Sequence, residues 1–313
     1  MNKFLFFSLK VLLIPLIMIF VNIFIDYRSE ENGIIKIFLQ DLKKYDSLTL
    51  NVNFPERKFV KYRIINDNYS FSNIVLGSSR SMLIGKQTSS KVLNLSVSGA
   101  ILKDYIEIFN LIRKQNIYVN SIILEISPWI FNHNISEMRF QEFTESNSYR
   151  FLSYNYFFEN IKFPKYTLVE NKNSLRKYVD GSINYDETKS ENYREKIKNY
   201  IKGEVYHLEG FNSIKDLDIS ELVKFIEEVK NEGTELIFLK LPYPPSINSI
   251  IMERYPNILR TDEIINQISK KYRIEILGSF YPEEENLSDK DFIDGMHLRL
   301  NGVKKLLKKE LYD

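Results

Sequence analysis

Cysteine is absent from the 313 residues, which excludes disulfide frameworks, thiolate metal sites and cysteine nucleophiles. Histidine is scarce. Only His133, His207 and His297 occur, so chemistry that needs imidazole has few candidates and a histidine-rich metal centre is not expected. His133 and His207 have no partner at ligand spacing and read as incidental. A surplus of one charge is also missing. The 43 Lys and Arg stand against 41 Asp and Glu, a formal net charge of +2, and so balanced a chain carries no electrostatic footprint for nucleic acid. What the chain does have is apolar mass. With 44% hydrophobic and 14% aromatic residues, it can build one large core, or a core plus a sizeable insertion.

Residues 4–25 (FLFFSLKVLLIPLIMIFVNIFI) carry a single charge, Lys10. As a helix such a run reaches roughly 33 Å, enough for a bilayer core of about 30 Å. Lys10 lies where its stem can snorkel toward headgroups, and Pro15 is tolerable in a membrane span. Lys3 and Lys10 put the N-terminus on the cytoplasmic side and the chain from about residue 28 outside it. A cleaved signal peptide competes with this reading, but the run is long and no small-x-small site follows it. The expectation is therefore a single-pass anchor over 1–27.

Residues 28–70 read as a stalk and lead-in, with a helix predicted at IIKIFLQDLKKY. Beyond them, short apolar runs bounded by turn residues alternate with helical patterns. The runs are Asn73–Gly77, KVLNLS at 91–96, SIILEIS at 121–127, ELIFLKL at 235–241 and RIEILG at 273–278. Ile101, Tyr105, Phe109 and Ile112 share one helical face, as do Leu222, Phe225, Ile226 and Val229, and Asp218 with Glu221 has the spacing of a capping box. Alternation of this kind predicts an α/β domain over 71–313, a three-layer fold around a five-stranded parallel sheet whose ligands bind at the carboxyl ends of the strands. The Tyr-, Phe- and Asn-rich stretch at about 131–217 interrupts it and reads as a mostly helical insertion without a clean strand.

Two constellations carry chemistry. Gly77-Ser78-Ser79-Arg80-Ser81 ends the first strand, where a serine before a helix would face backbone N–H groups aimed at a developing oxyanion. The same residues also suit a tight turn with a serine cap. Near the C-terminus, Asp294-Gly295-Met296-His297 can set a carboxylate beside Nδ1 of its own histidine and leave Nε2 free for a serine hydroxyl. Alternatively His297 only packs at the start of the last helix. Arg80 either orients an anionic acceptor or pins the loop by an ion pair. Trp129, the single tryptophan, is either a stacking platform for a sugar or a core anchor. The basic tail KKLLKK is the solvated face of the last helix.

The order of these pieces resembles the SGNH/GDSL hydrolase superfamily, whose first block is G-D-S and whose last is D-x-x-H. Gly77-Ser78-Ser79 stands in the first block with Ser in place of Asp, and Asp294 and His297 match the last. Gly99, in Asn94-Leu95-Ser96-Val97-Ser98-Gly99, matches the second-block glycine whose N–H serves the oxyanion. The third block, G-x-N-D, is missing: Glu125-Ile126-Ser127-Pro128-Trp129 stands there instead. Either Ser127 substitutes for the asparagine, or the hole keeps only the N–H groups of Ser79 and Gly99. One lost oxyanion donor costs about 10²–10³ in rate.

The resemblance implies a flavodoxin-like sheet, a triad of Ser79, His297 and Asp294, and no metal or organic cofactor. Behind an N-terminal span, the G-S-S variant is similar to the membrane-anchored branch that serves teichoic acid D-alanylation and polysaccharide O-acetylation. That branch implies an acyl group, in the first place acetyl, on an envelope polysaccharide, and a multispan membrane O-acyltransferase as partner. Hydrolase and transferase stay open, because the same triad serves both. A non-catalytic binding or assembly protein on the same fold is the alternative, and the missing third block is its support.

Overall fold

The computed structural model describes residues 13, 15–23, 34–50, 54–67, 72–88, 91–135, 175–184, 193–203 and 205–307. Five parallel strands form the central sheet: β2 (Asn73–Leu76), β3 (Leu93–Asn94), β4 (Ser121–Ile126), β7 (Glu235–Lys240) and β8 (Glu275–Leu277). They lie in the order β3-β2-β4-β7-β8, which is 2-1-3-4-5 counted within the sheet, the flavodoxin-like order. All five fall on the apolar runs read from the sequence. Strands buried on both faces need apolar residues at nearly every position, so they stand out as near-continuous runs.

Successive residues of a strand face opposite sides. Ile74, Leu76, Ile122, Leu124, Leu236 and Phe238 therefore enter one core cluster, while Val75, Ile123, Ile237 and Leu239 enter another. The first cluster is closed by α3 (Leu102–Lys114), α5 (Asp216–Asn231), α6 (Pro245–Arg254) and α7 (Asn257–Tyr272). On the other face α8 (Leu300–Leu307) supplies Val303, Leu306 and Leu307, and loop residues do the rest. The Leu222, Phe225, Ile226 and Val229 face of α5 is buried as its spacing requires. The capping box differs from the predicted one. The helix opens two residues earlier than Asp218, which stands at N3 and accepts the N–H of Lys215 at 3.3 Å.

The described residues of the segment expected as a stalk, 34–50 and 54–67, are packed against the domain. In α1 (Ile34–Tyr45), Ile35, Phe38, Leu39 and Leu42 are buried at i, i+3, i+4 and i+7, against Phe59 of α2 (Glu56–Asn66). The insertion also differs from its prediction. Beside α4 (Tyr193–Lys202) it holds a hairpin, β5 (Arg176–Tyr178) and β6 (Ile183–Asn184), which pairs antiparallel with β1 (Ser47–Thr49). Gly181 turns that hairpin at φ +86°, and a Cβ there would stand 2.1 Å from the carbonyl oxygen of Asn94. Residues 136–174 and 185–192 of the insertion lie outside the described residues.

The single-pass anchor is not supported. Among the described residues no helix is long and apolar enough to cross a membrane. Part of the expected span, residues 4–12, 14, 24 and 25, lies outside the described residues. The cytoplasmic N-terminus and the extracytoplasmic domain rested on that span and fall with it.

Candidate active site

In the 2-1-3-4-5 order the topological switch lies between β2 and β4, where open α/β sheets bind ligands beyond the carboxyl ends of their strands. Ser79 stands three residues past β2, partly exposed at this point. Ser79 Oγ is 2.9 Å from His297 Nε2, and His297 Nδ1 is 3.1 and 3.0 Å from the two carboxylate oxygens of Asp294. Residues 218 positions apart in sequence are thereby joined. The Asp294 carboxylate also accepts the N–H groups of Met296 and His297, both at 2.9 Å, which folds the D-G-M-H loop around it. Burial alone would push this carboxyl up. The hydrogen bond and charge of His297 and the two N–H donors outweigh burial and hold it at about 2.

The serine turn differs from the expected one. No α-helix directly follows Ser79: residues 79–83 are turns, closed by Ser81 N–H to Ser78 O (3.2 Å) and Ile84 N–H to Ser81 O (3.0 Å). Its anchor is Glu125, one residue before the end of β4 and wholly buried. That carboxylate accepts the Ser78 N–H (2.7 Å), the Ser78 hydroxyl (2.8 Å), the Ser81 hydroxyl (2.7 Å) and the Ser127 hydroxyl (2.9 Å). Sequence reasoning missed Glu125 as a site residue. The signal was there, an acidic residue inside a strand that is otherwise apolar, because a buried charge requires a full set of donors.

Ser127 consequently fails as the substitute oxyanion donor: it is buried, and its one proton is committed to Glu125. Two backbone groups remain. Between residues 78 and 81, the N–H of Ser78 goes to Glu125, of Arg80 to Ser78 Oγ and of Ser81 to Ser78 O. Among the described residues only the Ser79 N–H of that turn has no acceptor. The loop after β3 repeats the pattern. Val97 N–H donates to Gly77 O, Ser98 N–H to Glu56, Ala100 N–H to Val97 O and Ile101 N–H to Asp104. Gly99, buried at φ +60°, is again the exception among the described residues. Buried N–H groups are nearly always paired, so the unpaired one of buried Gly99 is free for a ligand atom, while Ser79 is partly exposed.

Arg80 and Trp129 prove to be internal. Arg80, 2% exposed, donates to the carbonyls of Leu241 (2.6 Å), Pro242 (2.6 Å) and Met296 (3.2 Å), and its guanidinium lies 4.8 Å from the centre of the Tyr243 ring. It pins loops, through carbonyl oxygens and not through the ion pair considered from the sequence. Trp129 is 1% exposed and donates its Nε1–H to Ala100 O at 3.2 Å. It is a core anchor that holds the residue after Gly99, and it offers no stacking face.

The insertion covers the histidine loop. The ring of Tyr200 in α4 lies against Gly295, where a Cβ would come within 2.3 Å of it. Burial, then the negative charge of Asp294, pushes the Tyr200 phenol up to about 12. A cavity of about 270 Å³ is walled by Ile101, Lys103, Asn132, His133, Lys215 and Asp218. His133 Nδ1 is 3.8 Å from Asp218 Oδ2, and His207 packs its ring 5.4 Å from that of Trp129. Among the described residues no group of three His, Asp or Glu is placed to hold a metal ion. No protein-family model matches the chain, and no curated protein matches its sequence.

Proposed function

We propose that the chain is a serine esterase or acyltransferase of the SGNH type, working through an acyl-serine. The observation that carries the reading is the relay of Ser79 Oγ to His297 Nε2 at 2.9 Å, with Nδ1 of that ring on Asp294. A serine hydroxyl is a weak nucleophile until a positioned base takes its proton. In this reading Ser79 Oγ attacks the carbonyl carbon of an acyl ester as its proton passes to His297. Asp294 holds the ring in the tautomer that leaves Nε2 free and stabilises the imidazolium. The tetrahedral oxyanion meets the N–H groups of Ser79 and Gly99. Collapse expels the alcohol with the proton from His297. Water or a second hydroxyl, deprotonated by His297, then takes the acyl group and frees Ser79.

The substrate proposed is an acyl ester, in the first place acetyl, on a polysaccharide, as the resemblance implies. Transfer and hydrolysis differ only in the acceptor that reaches the acyl-serine. One observation favours a second reading, a binding or assembly protein that kept the fold: the Ser127 hydroxyl is committed to Glu125, so the hole has no side-chain donor from β4. An organophosphonate probe separates the two. Covalent labelling mapped to Ser79, and lost in His297→Ala, supports the enzyme. Failure of the folded protein to label supports the binding protein.

A further inference from the structure

We propose that Arg57, in α2 ahead of the central sheet, is a positioning residue that aims and polarises the Gly99 N–H. This rests on the reading of Gly99 as an oxyanion donor. Ser98 C=O and Gly99 N–H belong to the same amide, which is trans, so they point in opposite directions. Whatever fixes the carbonyl therefore aims the N–H. Arg57 donates from its guanidinium to Ser98 O at 3.3 Å.

Both partners of that contact are themselves fixed. Arg57, 5% exposed, forms a fork on the wholly buried Asp104, with Nε to Oδ1 at 2.8 Å and a terminal nitrogen to Oδ2 at 2.9 Å. Asp104 in turn caps α3 by accepting the Ile101 N–H at 2.9 Å. Ser98 is held from the other side by Glu56, which takes its N–H at 2.5 Å and its hydroxyl at 3.0 Å. Two consecutive residues of α2 thus grip Ser98 at every polar atom. The chemistry follows from the charge. A cation on the carbonyl oxygen draws electron density through the amide and makes the N–H at its other end a stronger donor. A donor fixed in advance costs no reorganisation when negative charge develops on the substrate oxygen. The charge of Arg57 is balanced by Asp104, so it adds direction without adding a net charge beside the site.

Deleting Arg57 alone would leave Asp104 buried without its partner, so the test removes the pair together as Arg57→Met/Asp104→Asn. In this variant kcat for p-nitrophenyl acetate is expected to fall about 10- to 100-fold with KM unchanged, because the donor acts on the transition state and not on the bound ester. Arg57→Lys, which keeps the charge but not the fork, is expected to lose less. A readout independent of turnover accompanies it: the Gly99 amide proton resonance moves upfield in the double variant, and the resonances of the 294–297 loop stay in place. A folded double variant with kcat within twofold of wild type and an unmoved Gly99 resonance overturns the proposal. Wild-type turnover that survives Ser79→Ala sinks the parent reading instead, and the Gly99 resonance then decides the role of Arg57 by itself.

Discussion

Arg80 donates to the carbonyl oxygen of Met296 at 3.2 Å, so the residue after the candidate nucleophile holds the residue before the candidate base. The 2.9 Å contact between Ser79 Oγ and His297 Nε2 is therefore not left to two loops meeting by chance. It is framed by a buried guanidinium whose other hydrogen bonds reach the loop after β7.

The Asp294 carboxyl is held at about 2, below its ordinary 3.8. A carboxyl lowered by folding contributes stability above its ordinary value and loses it as pH falls through the lowered one. The contribution is on the order of 2 kcal/mol, fully present at neutral pH and lost between about pH 4 and pH 2. Asp294→Asn should flatten that part of the acid-unfolding curve, followed by circular dichroism. It should also lower ester turnover by about 10³–10⁴, because the amide no longer fixes the histidine tautomer or stabilises its cation. Equal acid limbs in variant and wild type would contradict the assignment.

Glu125 takes four donors in a site closed to water. Glu125→Leu strands them all and is expected to cost at least about 3 kcal/mol in urea unfolding. Glu125→Gln keeps an acceptor oxygen and should cost less, while slackening the Ser78–Ser81 turn enough to lower turnover. A Leu variant as stable as wild type would show that the carboxylate does not anchor the turn.

Gly295 and Tyr200 should be coupled. A Cβ at 295 would press within 2.3 Å of the tyrosine ring, so Gly295→Ala is expected to cost about 1–3 kcal/mol and to displace the loop that carries His297. In a Tyr200→Ala background the same substitution has room, and its cost should shrink. A double-mutant cycle on melting temperature and turnover measures the coupling, and purely additive effects would contradict it.

How much of this was legible in the sequence depended on whether a residue's role was local. The five central strands are continuous apolar runs, and Asp294 and His297 stand three apart in one turn, so both could be read from spacing. Gly99 was singled out by resemblance alone, as the match to the family's second block. The strands of β5 and β6, three and two residues long, were missed, because so short a segment carries no period, and β1 pairs with β5 from far away in the chain. The packing of 34–50 and 54–67 was missed for a related reason. An amphipathic helix shows that it has a buried face without showing what the face is buried against, and the expectation of a membrane anchor ahead of it, which the structure does not support, suggested a stalk. Arg57 and Asp104 look like ordinary surface residues in sequence, and only the fold brings them together under Ser98.

The central claim is that Ser79, His297 and Asp294 act together on an acyl ester. The most direct measurement compares the wild-type chain with Ser79→Ala and His297→Ala in the release of p-nitrophenol from its acetate ester, with each variant shown to be folded. Ser79-dependent release in the wild type, lost from both variants, is the predicted result. Release that persists undiminished in Ser79→Ala would contradict the account.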